Sequence, residues 1–256
     1  MLDFYKFKHF ENTPHLIHVV STKSSTLPYS FSLALHTGED KKNIISNRHY
    51  LAKQLQVDTK LHFIVAQQTH SDNIQHITEE DTKGWEGLDD AIESCDALIT
   101  NIPNVVLSIL TADCVPILLY DTQNHAIAAI HAGWKGTKTQ ITQQTVKKMQ
   151  EVFGTEPSHI IAGMAPSIGR CCYEVGEDVA KHFFDMPEGY TQVKNKYMLD
   201  LPYINQRQLL QAGILEKNIE MSGICTACHT ERFFSYRKEE DCSGRFMSMI
   251  ALKDKK

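Results

Sequence analysis

The sequence predicts an α+β fold in which mixed, largely antiparallel sheets are flanked by helices. Short runs rich in β-branched and aromatic residues outnumber the segments with helical periodicity. Several neighbouring runs look linked as hairpins, whereas parallel strands need long crossover connections. Nothing in residues 1–256 resembles a linker, a repeat or a low-complexity tract. We therefore expect a single domain.

The composition is that of an ordinary globular protein, with 42% hydrophobic and 22% charged residues. A formal net charge of −5 argues against nucleic acid as the main partner. No run of 18 apolar residues is present, so we expect no membrane span. The first 20 residues lack the apolar core of a signal peptide, and the seven cysteines are an odd number. Both observations indicate free thiols in a reducing cytoplasm.

Periodicity and turn residues assign the elements in order. Residues 23–43 and 84–90 are predicted loops, because they combine turn formers with charged residues. Two of the predicted helices are followed by a glycine that favours helix termination, Gly154 and Gly213. The predicted helices are 44–56, 137–153, 177–184 and 201–211. The predicted strands are 15–22, 61–67, 95–100, 104–110, 115–120, 125–130, 159–164, 219–223, 233–236 and 245–252.

The first indication of a functional site lies in the central hairpin, which consists of the predicted strands 115–120 and 125–130. Its two apolar runs are separated by the turn formers Asp121-Thr122-Gln123-Asn124. A loop centred on this turn places Tyr120 opposite His125, and Cys114 opposite His131. Directly opposed residues have Cβ atoms about 4.5–5.5 Å apart, close enough for a thiolate and an imidazole to share one metal ion. The alternative is that both side chains only pack or form hydrogen bonds in the core.

A third ligand is needed for a catalytic zinc site, which combines three protein ligands with an open fourth position. The predicted strand 61–67 runs into a polar segment that contains His70, so His70 lies near a strand end, as His131 does. Other histidines lie near predicted strands, and spacing does not choose among them. They are His36, His62, His76 and His125.

Two further motifs have a functional and an ordinary interpretation. The loop 165–176 contains glycine, serine and Arg170, a combination that can bind an anion, although it can also be a simple strand-to-helix connection. The C-x-x-C-H spacing from Cys225 to His229 is typical of haem attachment, which requires export. As half of a zinc site it needs partner ligands elsewhere, and the adjacent Cys171 and Cys172 are not expected to pair with each other.

Five blocks, in chain order, resemble the YfiH family. Its members are variously named laccase-like polyphenol oxidoreductases, peptidoglycan editing factors and purine nucleoside phosphorylases. The blocks are QTHSDNI (68–74), TADCVPILLYD (111–121), AIHAGWKGT (129–137), APSIGRCCYEVGEDV (165–179) and FFSYRKEEDCSGRFMSMIAL (233–252).

The resemblance implies a YfiH-like α+β domain that binds zinc through His70, Cys114 and His131. It also implies that Arg48 faces the substrate pocket. Two departures from the family pattern concern the substrate: Lys135 stands where an arginine is usual, which replaces a bidentate fork by a point charge, and Ala165 replaces a usual glycine. The loop 23–36 also lacks the usual glycine pair and asparagine.

The activity implied by the resemblance is zinc-dependent phosphorolysis of adenosine, inosine and methylthioadenosine to the free base and (methylthio)ribose 1-phosphate, together with adenosine deamination. The implied partners are therefore a purine nucleoside and phosphate. Trp134 is an alternative platform for the base, and Asp113 or Glu174 could transfer protons. The predicted catalytic residues are Cys114, His131 and Arg48, and the predicted substrate-binding residues are Arg48, Lys135, Arg170 and Tyr173.

Three other functions remain open at this point. A zinc amidohydrolase could remove a misincorporated serine from the cell-wall precursor UDP-MurNAc, because zinc chemistry suits amide cleavage equally well. Copper-dependent phenol oxidation is the weakest option, since multicopper chemistry needs several histidine-rich clusters. A non-catalytic, zinc-stabilised module would have a fourth protein ligand.

Overall fold

The computed structural model describes residues 3–55, 59–79, 82–240 and 244–254. Within these ranges the strands are β1 Phe4–Tyr5, β2 Leu16–Ser21, β3 His62–Val65, β4 Ile74–His76, β5 Ala97–Thr100, β6 Val105–Thr111, β7 Val115–Asp121, β8 Ala126–Ala132, β9 Ile160–Met164, β10 Glu174–Val175, β11 Tyr190–Val193, β12 Lys196–Leu199, β13 Ile219–Met221 and β14 Phe246–Leu252. The α-helices are α1 Lys8–Glu11, α2 Lys41–Gln54, α3 Trp134–Lys138, α4 Ile141–Phe153, α5 Glu177–Ala180 and α6 Leu201–Gln211.

Two large sheets and one small sheet make up the β-structure. The five-stranded sheet has the order β1-β2-β14-β6-β3, and the six-stranded sheet has the order β13-β9-β7-β8-β5-β4. Among the described strands, the pairs β3–β6, β4–β5 and β9–β13 are parallel and all other pairs are antiparallel. The predicted α+β fold with mixed, largely antiparallel sheets is confirmed.

The two large sheets pack face to face between helices. Leu107 of β6 and Leu118 of β7 belong to the shared core between the sheets. On the other side of the six-stranded sheet, Val146 of α4 and Leu209 of α6 cover its outer face, while Leu51 of α2 covers the five-stranded sheet. Because the central strands are buried on both faces, they read as continuous apolar runs in the sequence. None of the described helices is long and apolar enough to cross a lipid bilayer.

The central hairpin is present, but its register differs from the prediction. β7 and β8 pair so that His131 lies opposite Pro116. The predicted pairings of Cys114 with His131 and of Tyr120 with His125 are therefore wrong. Since the partner of His131 moves from position 114 to position 116, the shift is by an even number of residues and leaves the alternation of faces unchanged. Cys114 still shares the inter-sheet side with His131.

The Asp121 side chain explains the shift. One oxygen of its carboxylate accepts hydrogen bonds from the N–H groups of Gln123 and Asn124, at 2.9 and 3.1 Å. His125 adopts a left-handed conformation with φ 50°. The turn therefore occupies residues 122–125, and Asp121 becomes the last paired residue, opposite Ala126.

Other elements differ from the prediction in detail. The helix predicted for 44–56 runs from Lys41 to Gln54, and position 56 lies outside the described residues. The helix predicted for 137–153 is two helices, because Gln140 is left-handed with φ 62°. The strand predicted for 233–236 is wrong: the Phe233 N–H donates to the carbonyl of His229 in a compact turn. The small strands β4, β10, β11 and β12 were not predicted.

Six strand ends meet at one end of the packed sheets. The carboxyl end of β6 lies beside the amino end of β14, and the carboxyl end of β8 lies beside the amino ends of β5 and β7. The connection from β6 to β7 is short, running from Ala112 to Cys114, so it joins both groups at the same end. β3 runs parallel to β6 and ends there too. Residues that follow or precede these ends are therefore brought together.

Candidate metal centre and substrate cavity

His70, Cys114 and His131 converge at this end of the sheets. Their ligand atoms all lie within 4.8 Å of one another. The Cys114 Sγ and the His70 Nε2 are 3.8 Å apart, and the two imidazole rings have centroids separated by 4.8 Å. The structure thus brings together the three residues that the sequence analysis named as ligands.

The Gln68 side chain holds the segment that carries His70. Its Oε1 accepts from the Leu110 N–H and its Nε2 donates to the Leu110 carbonyl, both at 2.8 Å. This amide therefore pairs with the end of β6 as a neighbouring strand would. Two residues later, His70 has φ 60°, an uncommon conformation for a residue other than glycine. The segment turns there and directs the imidazole towards Cys114.

Asp96 is the second group that positions the ligands. This fully buried carboxylate accepts a hydrogen bond of 2.7 Å from the His131 Nδ1. It also accepts from the Ser71 N–H and hydroxyl, both at 2.7 Å, and from the His70 N–H at 3.1 Å. Because Nδ1 is engaged, Nε2 is the nitrogen of His131 that can bind a metal. A carboxylate behind a ligating histidine fixes the ring orientation and raises its basicity.

Gly133 is required by the close approach of two ligands. A Cβ atom at this position would lie 2.9 Å from the Cδ2 of His70 and 3.0 Å from the Sγ of Cys114. These separations are shorter than ordinary van der Waals contact, about 3.5–4.0 Å between carbon atoms. Any other side chain would push the two ligands away from their positions.

The electrostatics of the site favour a deprotonated thiol. Burial raises the pKa of Cys114, but the neighbouring His131 and His70 lower it to about 6. For His131, burial lowers the pKa, while Cys114 and Asp96 raise it to about 9. Burial raises the pKa of Asp96, but the hydrogen bonds from His131 and Ser71 outweigh this effect and lower the pKa of this carboxyl to about 2. A thiolate is the form of cysteine that binds metals.

The donor set fits zinc. One thiolate and two imidazoles are common zinc ligands, and a carboxylate hydrogen-bonded to a ligating histidine, as Asp96 is to His131, commonly accompanies them. A blue-copper centre also uses two histidines and a cysteine, with a weak axial ligand that is a methionine, a glutamine or a main-chain oxygen; no methionine is among the described residues that line the adjoining cavity, which does include Gln68. In the described ranges, the second cluster that could hold a metal contains four cysteines and no histidine. This does not match a multicopper arrangement.

A cavity of about 520 Å³ opens onto the three ligands. Arg237 contributes to its wall: the main-chain N–H donates to Asp113 Oδ2 at 2.7 Å, and the guanidinium lies over the Tyr173 ring at 5.1 Å. One guanidinium nitrogen, Nη1, also donates to the carbonyl of Glu174 at 2.5 Å. Arg245, directly before β14, is a second cation at the wall. The cavity therefore combines positive charge and aromatic surface beside the ligands. The other lining residues are His36, Gln68, Leu110, Thr111, Ala112, Trp134 and Tyr236.

Among the predicted substrate-binding residues, Tyr173 lies at this cavity and Arg48 does not. The Arg48 side chain is fully buried. Its Nε donates to the carbonyl of Leu33 at 2.8 Å, and its Nη1 donates to those of Gly84 and Trp85, both at 2.7 Å. Its Nη2 has no hydrogen-bond partner among the described residues. Arg48 thus donates its hydrogen bonds to main-chain carbonyls of the surrounding loops, and it does not line the cavity that the sequence analysis expected it to face.

The structure places Lys135 and Arg170 outside the main cavity. Lys135 is exposed, with its ammonium 5.8 Å from the Trp134 ring, and lines a smaller neighbouring cavity that also includes His70. Arg170 lies at a separate cavity near Cys225, where its Nε is 3.2 Å from the Asp200 carboxylate. Neither cation is among the residues that line the cavity at His70, Cys114 and His131.

The two predicted proton carriers differ in environment. Both oxygens of Asp113 are engaged, Oδ1 by the Thr226 hydroxyl at 2.7 Å and Oδ2 by the Arg237 N–H. Glu174 has an exposed side chain and is not among the lining residues. Asp113 therefore lines the cavity and holds its wall in place, whereas Glu174 lies away from the three converging side chains.

Sequence reasoning missed Gln68, Asp96, Arg237 and Arg245. Asp96 directly precedes β5, which pairs with β8, so its proximity to His131 depends on a strand pairing that periodicity does not give. The two arginines stand in the block FFSYRKEEDCSGRF, which the sequence analysis used for the resemblance but not for the site. The presence of two arginines in a block that matches the family was the signal that could have identified them as candidate site residues.

Comparison with known proteins agrees with the resemblance. Residues 17–253 match the family described as multi-copper polyphenol oxidoreductase laccase. A protein of Bacillus subtilis named purine nucleoside phosphorylase YlmD is 33% identical, with 95% of this chain and 91% of that protein covered. A purine nucleoside phosphorylase of Bacteroides thetaiotaomicron is also 33% identical, with 98% and 96% covered. The crystal structure of hypothetical protein YfiH from Bacillus licheniformis superposes with a TM-score of 0.89, at 33% identity and 95% coverage of both chains.

Proposed function

We propose that this chain, which belongs to the family described as multi-copper polyphenol oxidoreductase laccase, is a zinc-dependent enzyme that cleaves purine nucleosides with phosphate. The relatives from Bacillus subtilis and Bacteroides thetaiotaomicron are both named purine nucleoside phosphorylases. Adenosine, inosine and methylthioadenosine are the proposed substrates. The convergence of His70, Cys114 and His131 beside a cavity with two arginines is the observation that carries this proposal.

The size and lining of the cavity support a nucleoside together with phosphate. A volume of about 520 Å³ is within the range of small-molecule sites. Arg237 and Arg245 can bind a phosphate through charge-assisted hydrogen bonds. The rings of Tyr173 and Trp134 offer flat apolar surfaces for a purine. This assignment differs from the sequence expectation, in which Arg48, Lys135 and Arg170 were the cations.

In the proposed phosphorolysis, a phosphate oxygen forms a bond to the ribose C1′ while the bond from C1′ to the purine nitrogen breaks. The purine leaves with the electron pair of that bond and takes up a proton, and ribose 1-phosphate is the second product. Arg237 and Arg245 would orient the phosphate and stabilise its charge, which converts a two-molecule encounter into an oriented reaction. Asp113 supports this step indirectly, because it fixes the main chain of Arg237.

The metal would be held by His70, Cys114 and His131, with Asp96 orienting His131. Zinc bound there supplies Lewis acidity next to the substrate. Burial raises the pKa of Tyr173 to about 12, with a further contribution from Cys114. The phenol therefore stays protonated at neutral pH and can donate a hydrogen bond to the purine.

We also propose adenosine deamination at the same cavity. In this reaction a water molecule adds to C6 of the purine and ammonia leaves, which gives inosine. The same aromatic surfaces would hold the base, and phosphate is not consumed. The two activities can therefore be separated by omitting phosphate.

The test uses the purified full chain loaded with zinc. With adenosine and phosphate, we expect adenine, ribose 1-phosphate and inosine, and without phosphate only inosine. His70→Ala should abolish both reactions, whereas His62→Ala, at the opposite end of β3 from this site, should retain them. If the zinc-loaded protein released no base and no ammonia, the proposal would be rejected. Serine release from the UDP-MurNAc conjugate, or oxygen-dependent phenol oxidation by the copper form alone, would identify the activity instead.

A further inference from the structure

Four cysteines from two distant segments meet on the side of the six-stranded sheet where β9 and β13 end. These strands are parallel, with Met164 paired to Met221, so the segments that follow them leave the sheet together. The first segment carries Cys171 and Cys172, and the second carries Cys225 and Cys228. The four Sγ atoms lie within 4.8 Å of one another. The Sγ of Cys228 is 3.6 Å from that of Cys171 and 3.4 Å from that of Cys172.

Main-chain hydrogen bonds hold the two segments in this arrangement. The Ser167 N–H donates to the Ile224 carbonyl at 3.2 Å, and the Thr226 N–H donates to the Ser167 carbonyl at 3.1 Å. The Gly169 N–H donates to the Cys225 Sγ at 3.2 Å. The convergence of the thiols therefore follows from the backbone, and an N–H group already faces one sulfur.

The separations match those of thiolates around a single ion. With bonds of about 2.3 Å from zinc to sulfur, the edge of a tetrahedron of four sulfurs is about 3.8 Å. The distances from the Cys228 Sγ to those of Cys171 and Cys172 lie near this value. An iron–sulfur cluster distributes its cysteines over different iron atoms, which spreads the sulfurs farther apart than one ion does. The six described cysteines are free rather than joined in disulfides.

We propose that Cys171, Cys172, Cys225 and Cys228 bind a second zinc ion in a tetrathiolate site, separate from the centre at Cys114. This accounts for the C-x-x-C spacing that the sequence analysis could not place, because the adjacent cysteines supply the missing half. His229 is not a member of the cluster; its Nδ1 lies 3.1 Å from Glu231.

The second ion would fix the wall of the substrate cavity. Tyr173 follows Cys172 directly and lines that cavity. Thr226 follows Cys225 directly and donates its hydroxyl to Asp113, the residue before the ligand Cys114. Four protein ligands leave no open position for a substrate, so this ion is structural. It would cross-link the two segments whose relative position sets the shape of the cavity.

The zinc content of the full-length protein tests the proposal. The protein is prepared under reducing conditions, loaded with zinc and freed of excess, and the metal is measured per chain. We expect two zinc ions in the wild type and in the control Cys95→Ser, whose thiol belongs to neither cluster. We expect one ion in Cys228→Ser, one in Cys114→Ala and none in the double variant. A decrease in Tm on the order of 10 °C should accompany Cys228→Ser.

Spectroscopy on the Cys114→Ala variant provides a measurement that does not depend on altering the cluster. X-ray absorption of its remaining zinc should show four sulfurs at about 2.3 Å, and cobalt substitution should give intense thiolate-to-metal charge-transfer bands. A mixed shell of nitrogen and oxygen would refute the proposal. So would an unchanged zinc content in Cys228→Ser. An intact mass two hydrogens lighter per cysteine pair, in protein purified separately without reductant, would identify disulfides and also refute the proposal. Because nucleoside cleavage is not the readout, the outcome is independent of the proposed activity.

Discussion

Gly133→Ala adds one methyl group directly beside two proposed ligands, His70 and Cys114. The new Cβ would stand 2.9 Å from the His70 Cδ2 and 3.0 Å from the Cys114 Sγ. Ordinary contact would require these atoms to retreat by about 0.5–1 Å, whereas a metal site tolerates changes of about 0.2 Å in its bond lengths. Overpacking of this kind costs about 1–3 kcal/mol of stability. A misplacement of about 1 Å lowers turnover by on the order of 100-fold.

The matched control is Gly87→Ala, where a new Cβ would meet only the Lys41 Nζ at 3.7 Å and the Asp89 N at 3.9 Å. Zinc affinity is measured by competition with a chromophoric chelator, and turnover is measured with saturating zinc. We expect Gly133→Ala to bind zinc at least 10-fold more weakly, with loss of turnover, and the control to match the wild type. Equal zinc affinity and turnover in the two variants would show that the positions of His70 and Cys114 do not define the metal centre.

Three further predictions concern other groups. Asp96→Asn should weaken zinc binding by about 10–100-fold relative to the exposed control Asp89→Asn, as measured by chelator competition; an unchanged affinity would remove Asp96 from the site. Arg237→Gln should raise the KM for phosphate by on the order of 10-fold or more, whereas Arg232→Gln, outside the cavity, should not; an equal KM would exclude Arg237 as the phosphate ligand. His18→Gln tests pH dependence: burial lowers the pKa of His18 to about 4, while its neutral ring accepts a main-chain N–H at 3.0 Å. Between about pH 6.5 and pH 4 the unfolded chain therefore binds more protons than the folded chain. The free energy of unfolding decreases by up to about 3 kcal/mol as the pH is lowered through this range. Urea unfolding at pH 7 and pH 4 should show a smaller fall in the glutamine variant, and identical falls would refute the assignment.

The convergence of His70, Cys114 and His131 could be predicted from the sequence even though the hairpin register was wrong. The turn at Asp121 moved the partner of His131 to Pro116, but an even shift keeps every side chain on its original face. The choice of His70 over other histidines came from the family resemblance. In the structure, His70 reaches the site because the Gln68 amide pairs with the main chain of Leu110 and so holds the segment after β3 against the end of β6.

The cationic residues of the cavity could not be predicted from local pattern. Arg48 lies within a helix, and its guanidinium finds its partners in three carbonyls from loops distant in the sequence. Arg170 is paired with Asp200 at the N-terminal cap of α6. Arg245 reaches the cavity because β14 begins beside the end of β6. Which arginine faces a cavity is thus decided by strand pairing over long sequence separations.

The origin of the three ligands gives the centre a structural consequence. His70 follows a strand of the five-stranded sheet, His131 belongs to the six-stranded sheet, and Cys114 lies on the connection between them. An ion bound by all three would therefore tie the two sheets together at the end where the cavity opens. Asp96 links the same parts through hydrogen bonds, because one carboxylate accepts from both His131 and the main chain of His70. A carboxylate behind a metal-binding histidine orients the ring, so Asp96 supports the arrangement in which the three side chains converge.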